Sequence, residues 1–113
     1  MQYIALIYVA PPNGSVSVSP EAAAAVSAEY FALSDDPICV GGAQLEPAQL
    51  ATTVRSADGQ ALITDGPFAE TKEILGGYYL LEADDLDAAL QFAARIPATR
   101  MGGAVEVRPL TAG

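Results

Sequence analysis

The most distinctive stretch of this sequence is residues 65–73, which read DGPFAETKE and contain four ionisable side chains. Its ionisable members are Asp65, Glu70, Lys72 and Glu73. Burial or a like-charged neighbour raises the pKa of a carboxyl group, and such a group suits general acid–base catalysis. In a catalytic hypothesis, Asp65 is the general acid or base and Glu70 modulates its pKa. Lys72 or Arg55 then stabilises developing charge.

Three residues between these groups predict a stiff turn. Gly66 allows backbone dihedrals that other residues avoid, and Pro67 fixes its own φ. Phe68 is expected to anchor the turn through its apolar ring. A rigid turn would hold the flanking acidic groups in place, as a site requires.

A structural role explains the same segment. Aspartates at turns commonly accept hydrogen bonds from backbone N–H groups of their own turn, and such aspartates outnumber catalytic ones. Glu70, Lys72 and Glu73 can form a solvated charged edge. Both roles of the segment stay open.

Further candidates flank this segment. Tyr78 and Tyr79 are adjacent, and adjacent residues of a strand point to opposite sheet faces, so at most one of them faces a pocket. Arg55 and Arg108 would bind an anion only if their side chains converged. The candidate ligand-binding or interface residues are Arg55, Gly66, Pro67, Phe68, Glu73, Gly76, Gly77, Tyr78 and Tyr79.

The composition excludes several kinds of chemistry. The chain has no histidine, so an ordinary Ser-His or Cys-His pair cannot form, and its single cysteine cannot make an intramolecular disulfide. This residue, Cys39, lies between two aliphatic residues and is expected to be a small buried apolar side chain. The glycine pairs do not match a dinucleotide-binding or phosphate-binding pattern. We therefore predict no cofactor and no metal site.

The charge and hydropathy patterns address partners and location. The formal net charge is −9, which repels the phosphate backbone of nucleic acids. The longest apolar run, residues 3–10, is too short for a transmembrane helix, which needs about 20 residues. The sequence predicts neither a nucleic-acid nor a membrane partner. Its start lacks the basic residues of a secretory signal, which predicts a cytoplasmic protein.

The elements that must position these residues begin with a strand at residues 3–9, apolar on both alternating faces and so typical of an interior strand. Ser19 and Pro20 are typical of a helix start, and residues 35–37 of its end. A short strand at residues 38–40 then runs into a glycine pair, which predicts a bulge. The first helix is expected to bury the stripe Ala22, Val26, Tyr30 and Leu33.

The second half of the chain predicts a hairpin, a strand, a helix and a final strand. Residues 52–55 and 60–64 flank Asp58 and Gly59, a favoured two-residue hairpin turn. The later strands are expected at residues 78–82 and 105–108. Asp84 or Asp85 caps the helix between them. Its expected buried stripe is Leu86, Ala89, Leu90 and Ala93.

This order predicts one domain, residues 1–113, of the α+β class. We expect a ferredoxin-like sandwich, in which an antiparallel sheet carries both helices on one face, with an extra β-hairpin. The other sheet face has no cover within the monomer. We predict that a second copy covers it in a symmetric homodimer.

Several motifs support a family resemblance. They are residues 65–73, 76–79, 84–87, 96–97 and 105–109, with 41–45 and 52–55 before them. Together they resemble the YCII-related family, and in particular its DGPF-motif branch, over nearly the whole chain. The resemblance implies a small dimeric α+β barrel of ferredoxin-like protomers. It also implies a bacterial protein, often encoded beside extracytoplasmic-function sigma factors, of a group mostly without assigned activity.

The resemblance leaves two functions open. Some members of the family resemble small lyases or dehydrochlorinases that use a His/Asp pair between sheet and helix, and a chain without histidine cannot use that pair. One hypothesis is a lyase or isomerase acting on a small molecule through Asp65. The other is a non-catalytic dimeric module that binds a ligand or regulates, with the turn at residues 65–68 organising the subunit interface. The low density of ionisable groups outside the turn favours the second slightly.

Overall fold

The computed structural model describes residues 1–10, 19–68 and 73–111. In chain order these form β1 (Gln2–Val9), α1 (Pro20–Ser34), β2 (Cys39–Gln44), β3 (Thr52–Ala57), β4 (Gln60–Asp65), β5 (Ile74–Glu82), α2 (Leu86–Ala94) and β6 (Ala104–Pro109). Short 3₁₀ helices lie at Ala48–Leu50 and Pro97–Arg100.

The main sheet is antiparallel with strand order β2-β5-β1-β6, so β1 and β5 are central. Alternate residues of β1, namely Tyr3, Ala5 and Ile7, are buried in one core cluster with residues of both helices. Both helices therefore cover the same sheet face. The predicted ferredoxin-like sandwich is confirmed.

The helix starts follow from side-chain caps. The Ser19 hydroxyl accepts a hydrogen bond from the Ala22 N–H at 3.1 Å, and the Asp85 carboxylate accepts one from the Ala88 N–H at 2.9 Å. Each cap satisfies a backbone donor that the first turn leaves unpaired. Both predicted starts are confirmed, with Asp85 as the second cap. Neither α1 nor α2 is long and apolar enough to cross a membrane.

The buried face of α2 differs from the predicted stripe. Ala89 and Ala93 are buried, but Leu86 and Leu90 are 47% and 43% exposed. Phe92 takes their place, because its ring packs edge-on against Tyr79 with 5.4 Å between centroids. The apolar residues of this helix allow two overlapping faces, and the largest side chain decides between them.

Helix α1 packs through its C-terminal half. Leu33 is buried, and Glu29 forms an ion pair with Arg100 of the second 3₁₀ helix. Along the predicted stripe, however, Val26 and Tyr30 are only half-buried and Ala22 is exposed. The expectation that the whole stripe is buried is wrong for the N-terminal half, which stands off from the sheet.

Strand β2 extends through its glycine pair and carries the predicted irregularity. The pairing of β2 with β5 shifts between Cys39 and Gly41. A Cβ atom on Gly42 would lie 2.5 Å from the carbonyl oxygen of Tyr78. Only glycine permits this close approach of the two strands.

Strands β3 and β4 form a separate two-stranded sheet, which we call the arm. At its tip Asp58 and Gly59 have φ of 51° and 79°, the positive pair that a two-residue hairpin turn requires. Both strands are mostly exposed, including Val54 and Ile63, which face each other across the hairpin. The molecule measures 45 × 43 × 19 Å. Its radius of gyration of 16.1 Å exceeds the roughly 13 Å of a compact domain of this length.

Neither α1 nor α2 lies on the second face of the main sheet. Its central side chains are apolar and half-buried, among them Ile4 and Leu6 of β1 and Tyr78 and Leu80 of β5. The pattern of β1 predicts cover on both faces, and the described helices provide it on one face only. We call this surface the open face.

Candidate functional site

A cleft of about 670 Å³ lies between α1 and the helix-covered face of the sheet. Val26, Tyr30 and Phe31 border it on the helix side, and residues of β2 and β5 border it on the sheet side. The volume falls in the range of small-molecule sites, which is about 300–1,000 Å³. We call it the α1 cleft.

The cleft lies where the N-terminal half of α1 stands off from the sheet. Gly42 and Gly77 border it on adjacent strands, where Gly42 pairs with Tyr79 and Gly77 with Gln44. A Cβ atom on Gly77 would lie 2.8 Å from the Ala43 carbonyl oxygen, and one on Gly42 would also meet the backbone of β5. Both positions therefore require glycine because β2 and β5 approach closely along the cleft.

Two hydroxyl groups at the cleft are hydrogen-bonded to the fold. The Tyr79 hydroxyl donates to the carbonyl oxygen of Tyr30 at 2.8 Å, and the Ser34 hydroxyl donates to the same oxygen at 3.2 Å. Burial raises the pKa of both Tyr30 and Tyr79 above the ordinary value of 10.0. Both tyrosines are therefore neutral at physiological pH.

Cys39 also borders the cleft. It is half-buried, and its Sγ lies 3.5 Å from the carbonyl oxygen of Gly41. The expectation of a fully buried cysteine is thus corrected, because the cleft exposes part of its side chain. It is the one thiol in the sequence.

The predicted binding residues at positions 76–79 all border this cleft. Register places Tyr79 on the helix-covered face and Tyr78 on the open face, as strand alternation predicts. Whether these residues bind a ligand stays a prediction.

The turn after β4 lies elsewhere. Asp65 is exposed at the end of β4, where it pairs with Thr52 of β3. Gly66 has the predicted unusual backbone, with φ of 104°. Its N–H donates to the Ala51 carbonyl at 2.7 Å, and its own carbonyl accepts from the Thr53 hydroxyl at 2.7 Å. These bonds tie the bend to β3.

The sequence leads one to expect that the Phe68 ring anchors this bend. The structure corrects this expectation, because the Phe68 side chain is 71% exposed and does not anchor the bend by burial. The Arg55 guanidinium lies 4.6 Å from the centre of its ring, within the range of a cation–π contact. Pro67 is exposed as well. Arg55 of the arm therefore pairs with an aromatic ring of the turn that follows it, and Arg108 lies on the edge strand β6.

The other predicted residues of this segment are Glu70, Lys72 and Glu73. Glu70 and Lys72 lie outside the described residues. Glu73 is exposed just before β5. Among residues 52–68, which the structure describes, none borders the α1 cleft.

Sequence reasoning did not identify the α1 side of the cleft. Phe31 borders it and is 74% exposed. Phe31 follows Tyr30 and lies outside the predicted stripe. A large exposed apolar side chain of this kind indicates a binding surface, and this signal could have been used.

A second hollow of about 530 Å³ lies where the arm joins the sheet. It shares Val9, Gln44 and Gly76 with the border of the α1 cleft. The two hollows therefore adjoin.

Comparison with known proteins gives a family match and a relative of similar sequence. Residues 1–112 match the family model of the YCII-related domain. An uncharacterized protein of Rhizobium meliloti (strain 1021) is 48% identical over 69 residues, which cover 60% of this chain and 56% of that protein. The match thus spans little more than half of the length of that relative.

A solved structure gives a second comparison. The 5-chloro-2-hydroxyhydroquinone dehydrochlorinase from Burkholderia phenoliruptrix AC1100, in complex with 2,5-dihydroxybenzoquinone, superimposes with a TM-score of 0.53. The alignment covers 100% of this chain and 96% of that chain at 21% sequence identity. This likeness shows a common fold.

Proposed function

This chain belongs to the YCII-related domain family, and from that premise we propose that it is a dimeric module that binds a small molecule in the α1 cleft. The observation that carries the proposal is the cleft itself. It has the volume of a ligand site and lies between a helix and the strands of the sheet. A cytoplasmic location remains a prediction of the sequence.

The lining supports binding better than catalysis. The hydroxyl groups of Tyr30 and Tyr79 are neutral at physiological pH, and the Tyr79 hydroxyl is already hydrogen-bonded. General acid–base catalysis needs a group that exchanges protons near the working pH. No described residue that borders the cleft has a carboxyl or amino side chain.

The alternative function is a lyase or isomerase that uses Asp65. Its support is the family's fold, shared with a dehydrochlorinase, and the bend at Gly66 that fixes the end of β4. If Asp65 is catalytic, Asp65→Asn abolishes turnover and leaves the melting temperature unchanged. A loss of stability with turnover unchanged would assign it a structural role.

The proposed function is tested by filling the cleft. Val26→Trp places a large ring at the cleft border, whereas Ala28→Trp adds the same ring to an exposed position of α1 that does not border the cleft. We expect small molecules that raise the melting temperature of the wild type to lose that effect in Val26→Trp and keep it in Ala28→Trp, with both helix contents unchanged by circular dichroism. Equal effects in both variants would refute the site.

A further inference from the structure

We propose that the ligand of the α1 cleft is an uncharged, predominantly apolar molecule, such as a neutral aromatic compound. This inference rests on the proposed function and goes beyond it, because it states which chemical class the cleft accepts. It depends on three observations: the lining is uncharged, two of its hydroxyl groups are hydrogen-bonded within the protein, and its rim has exposed apolar side chains.

Every described residue that borders the cleft is uncharged. The lining consists of aliphatic and aromatic side chains, glycines, hydroxyl groups, one thiol and the amide of Gln44. Residues 11–18, which join β1 to α1, also contain no ionisable side chain. An ion that enters such a site loses hydration without gaining an opposite charge, and that loss is strongly unfavourable.

The rest of the molecule disfavours anions further. The chain has a net charge of −9, and its field repels negative ligands. The same field attracts cations to the surface, but no described carboxylate borders the cleft to pair with one. A neutral ligand avoids both costs.

Two hydroxyls of the lining are already used, since Tyr79 and Ser34 both donate to the Tyr30 carbonyl. The polar side chains that remain are uncharged, and the Gln44 amide is one of them. Recognition therefore combines apolar contact with hydrogen bonds to neutral groups.

The rim shows the same preference. Phe31 and Val40 border the cleft and are 74% and 56% exposed. Covering exposed apolar surface contributes about 25 cal/mol per Å². A molecule with an apolar surface gains from these side chains, whereas a charged one does not.

Two fluorescent probes of nearly the same shape test the class directly. N-phenylnaphthylamine is neutral, and anilinonaphthalenesulfonate adds one sulfonate to the same ring system. Phenyltrimethylammonium serves as the cation. Binding is read by fluorescence titration or displacement, and its location by the rate at which N-ethylmaleimide labels Cys39, the single thiol at the cleft border.

We expect the neutral probe to bind about tenfold more tightly than the sulfonate. We also expect the neutral probe to slow the labelling of Cys39 by about tenfold. The cation should not displace it. Val26→Trp should remove both effects, and Ala28→Trp should retain them.

The failures are distinguishable. Equal protection of Cys39 by the sulfonate or by the cation overturns the neutral class and leaves the binding cleft standing. Sulfonate binding that disappears in Lys72→Ala also overturns it, since a cation from residues 69–72 would then serve the site. No binding of any probe, with Val26→Trp matching the wild type, overturns the binding function as well. Protection of Cys39 that rises with protein concentration in the absence of probe would instead place a second copy in the cleft and overturn the inference.

Discussion

At the scale of single residues, the polar side chains nearest the cleft stabilise the fold. The Tyr79 hydroxyl joins β5 to α1 through the Tyr30 carbonyl, while the Tyr79 ring packs against Phe92 of α2. One side chain thus contacts both helices. This dual contact explains why Tyr79 is buried whereas its neighbour Tyr78 lies on the open face.

Asp36 offers a test of a residue-scale electrostatic contact. Its carboxylate accepts a hydrogen bond from the Ile38 N–H at 3.0 Å and one from the Arg95 guanidinium at 2.6 Å. These bonds, the backbone one first, hold the pKa of Asp36 below the ordinary value of 3.8. A group whose pKa is lower in the folded state stabilises the fold above its ordinary pKa, and that contribution is lost as the pH falls through the lowered value.

We therefore expect Asp36→Asn to lower stability modestly at neutral pH and by a steadily smaller amount as the pH falls below about 3.8. Urea unfolding between pH 7 and pH 2 measures the difference. Asp35→Asn removes the same charge without breaking these hydrogen bonds and serves as the control. A difference between Asp36→Asn and the wild type that stays constant down to pH 2 would contradict this interpretation.

At the scale of elements, helix α2 shows how packing selects among faces. Phe92 is 1% exposed, whereas Leu90 is 43% exposed two residues away. We expect Phe92→Ala to lower the free energy of unfolding by about 3–5 kcal/mol, since it removes a buried ring and leaves a cavity. Leu90→Ala should cost less than about 1 kcal/mol. Denaturant unfolding of the two variants measures these changes. A larger loss of unfolding free energy in Leu90→Ala would show that α2 buries the face predicted from the sequence.

The arm is the element whose stability the monomer explains least. An isolated two-stranded hairpin is marginal in water, yet this one carries Val54 and Ile63 on one exposed face and Leu62 on the other. Hydrogen bonds at Gly66 tie its base. The arrangement supports a role of the arm and the adjoining turn in contacting a second copy.

Phe68 is the test residue of that interface. We expect Phe68→Ala to weaken dimerisation about tenfold, because it removes an exposed ring together with its contact to Arg55. Sedimentation velocity over a dilution series measures the change. Leu90→Ala, which truncates an exposed apolar side chain on α2, should dimerise like the wild type. A Phe68→Ala protein with an unchanged dissociation constant would remove the turn from the interface.

At the scale of the whole molecule, the shape accounts for the predicted dimer. A body 19 Å thick is one sheet with one layer of helices. Neither described helix covers the open face, whose half-buried centre contains Ile4, Leu6, Tyr78 and Leu80. Folded domains normally cover an apolar sheet face, and a symmetric second copy does so with the same surface.

A charge on the open face tests this proposal. We expect Leu80→Glu to convert the protein to a folded monomer, because a carboxylate in the subunit interface would be desolvated without a partner. Leu90→Glu places the same charge on α2 and should remain dimeric. Light scattering reports the mass and circular dichroism the fold. A dimeric Leu80→Glu protein would show that another surface carries the contact.

The predictions that succeeded depend on neighbours in sequence. The Ser19 and Asp85 caps, the hairpin turn at Asp58 and Gly59 and the positive φ of Gly66 were all predictable from the sequence. Each is decided within about four residues by backbone geometry. The sandwich followed because the order of those elements admits few compact arrangements.

The α1 cleft depends on distant residues. It needs Leu33 to hold one half of α1, and it needs β2 and β5, which are far apart in the sequence, to pair beneath the other half. Which face α2 buries, and how far Phe68 projects, likewise depend on side chains far along the chain. The sequence alone determined the elements and their order. Tertiary packing alone decided where the cleft lies, because the empty volume depends on how all the surrounding elements pack against one another.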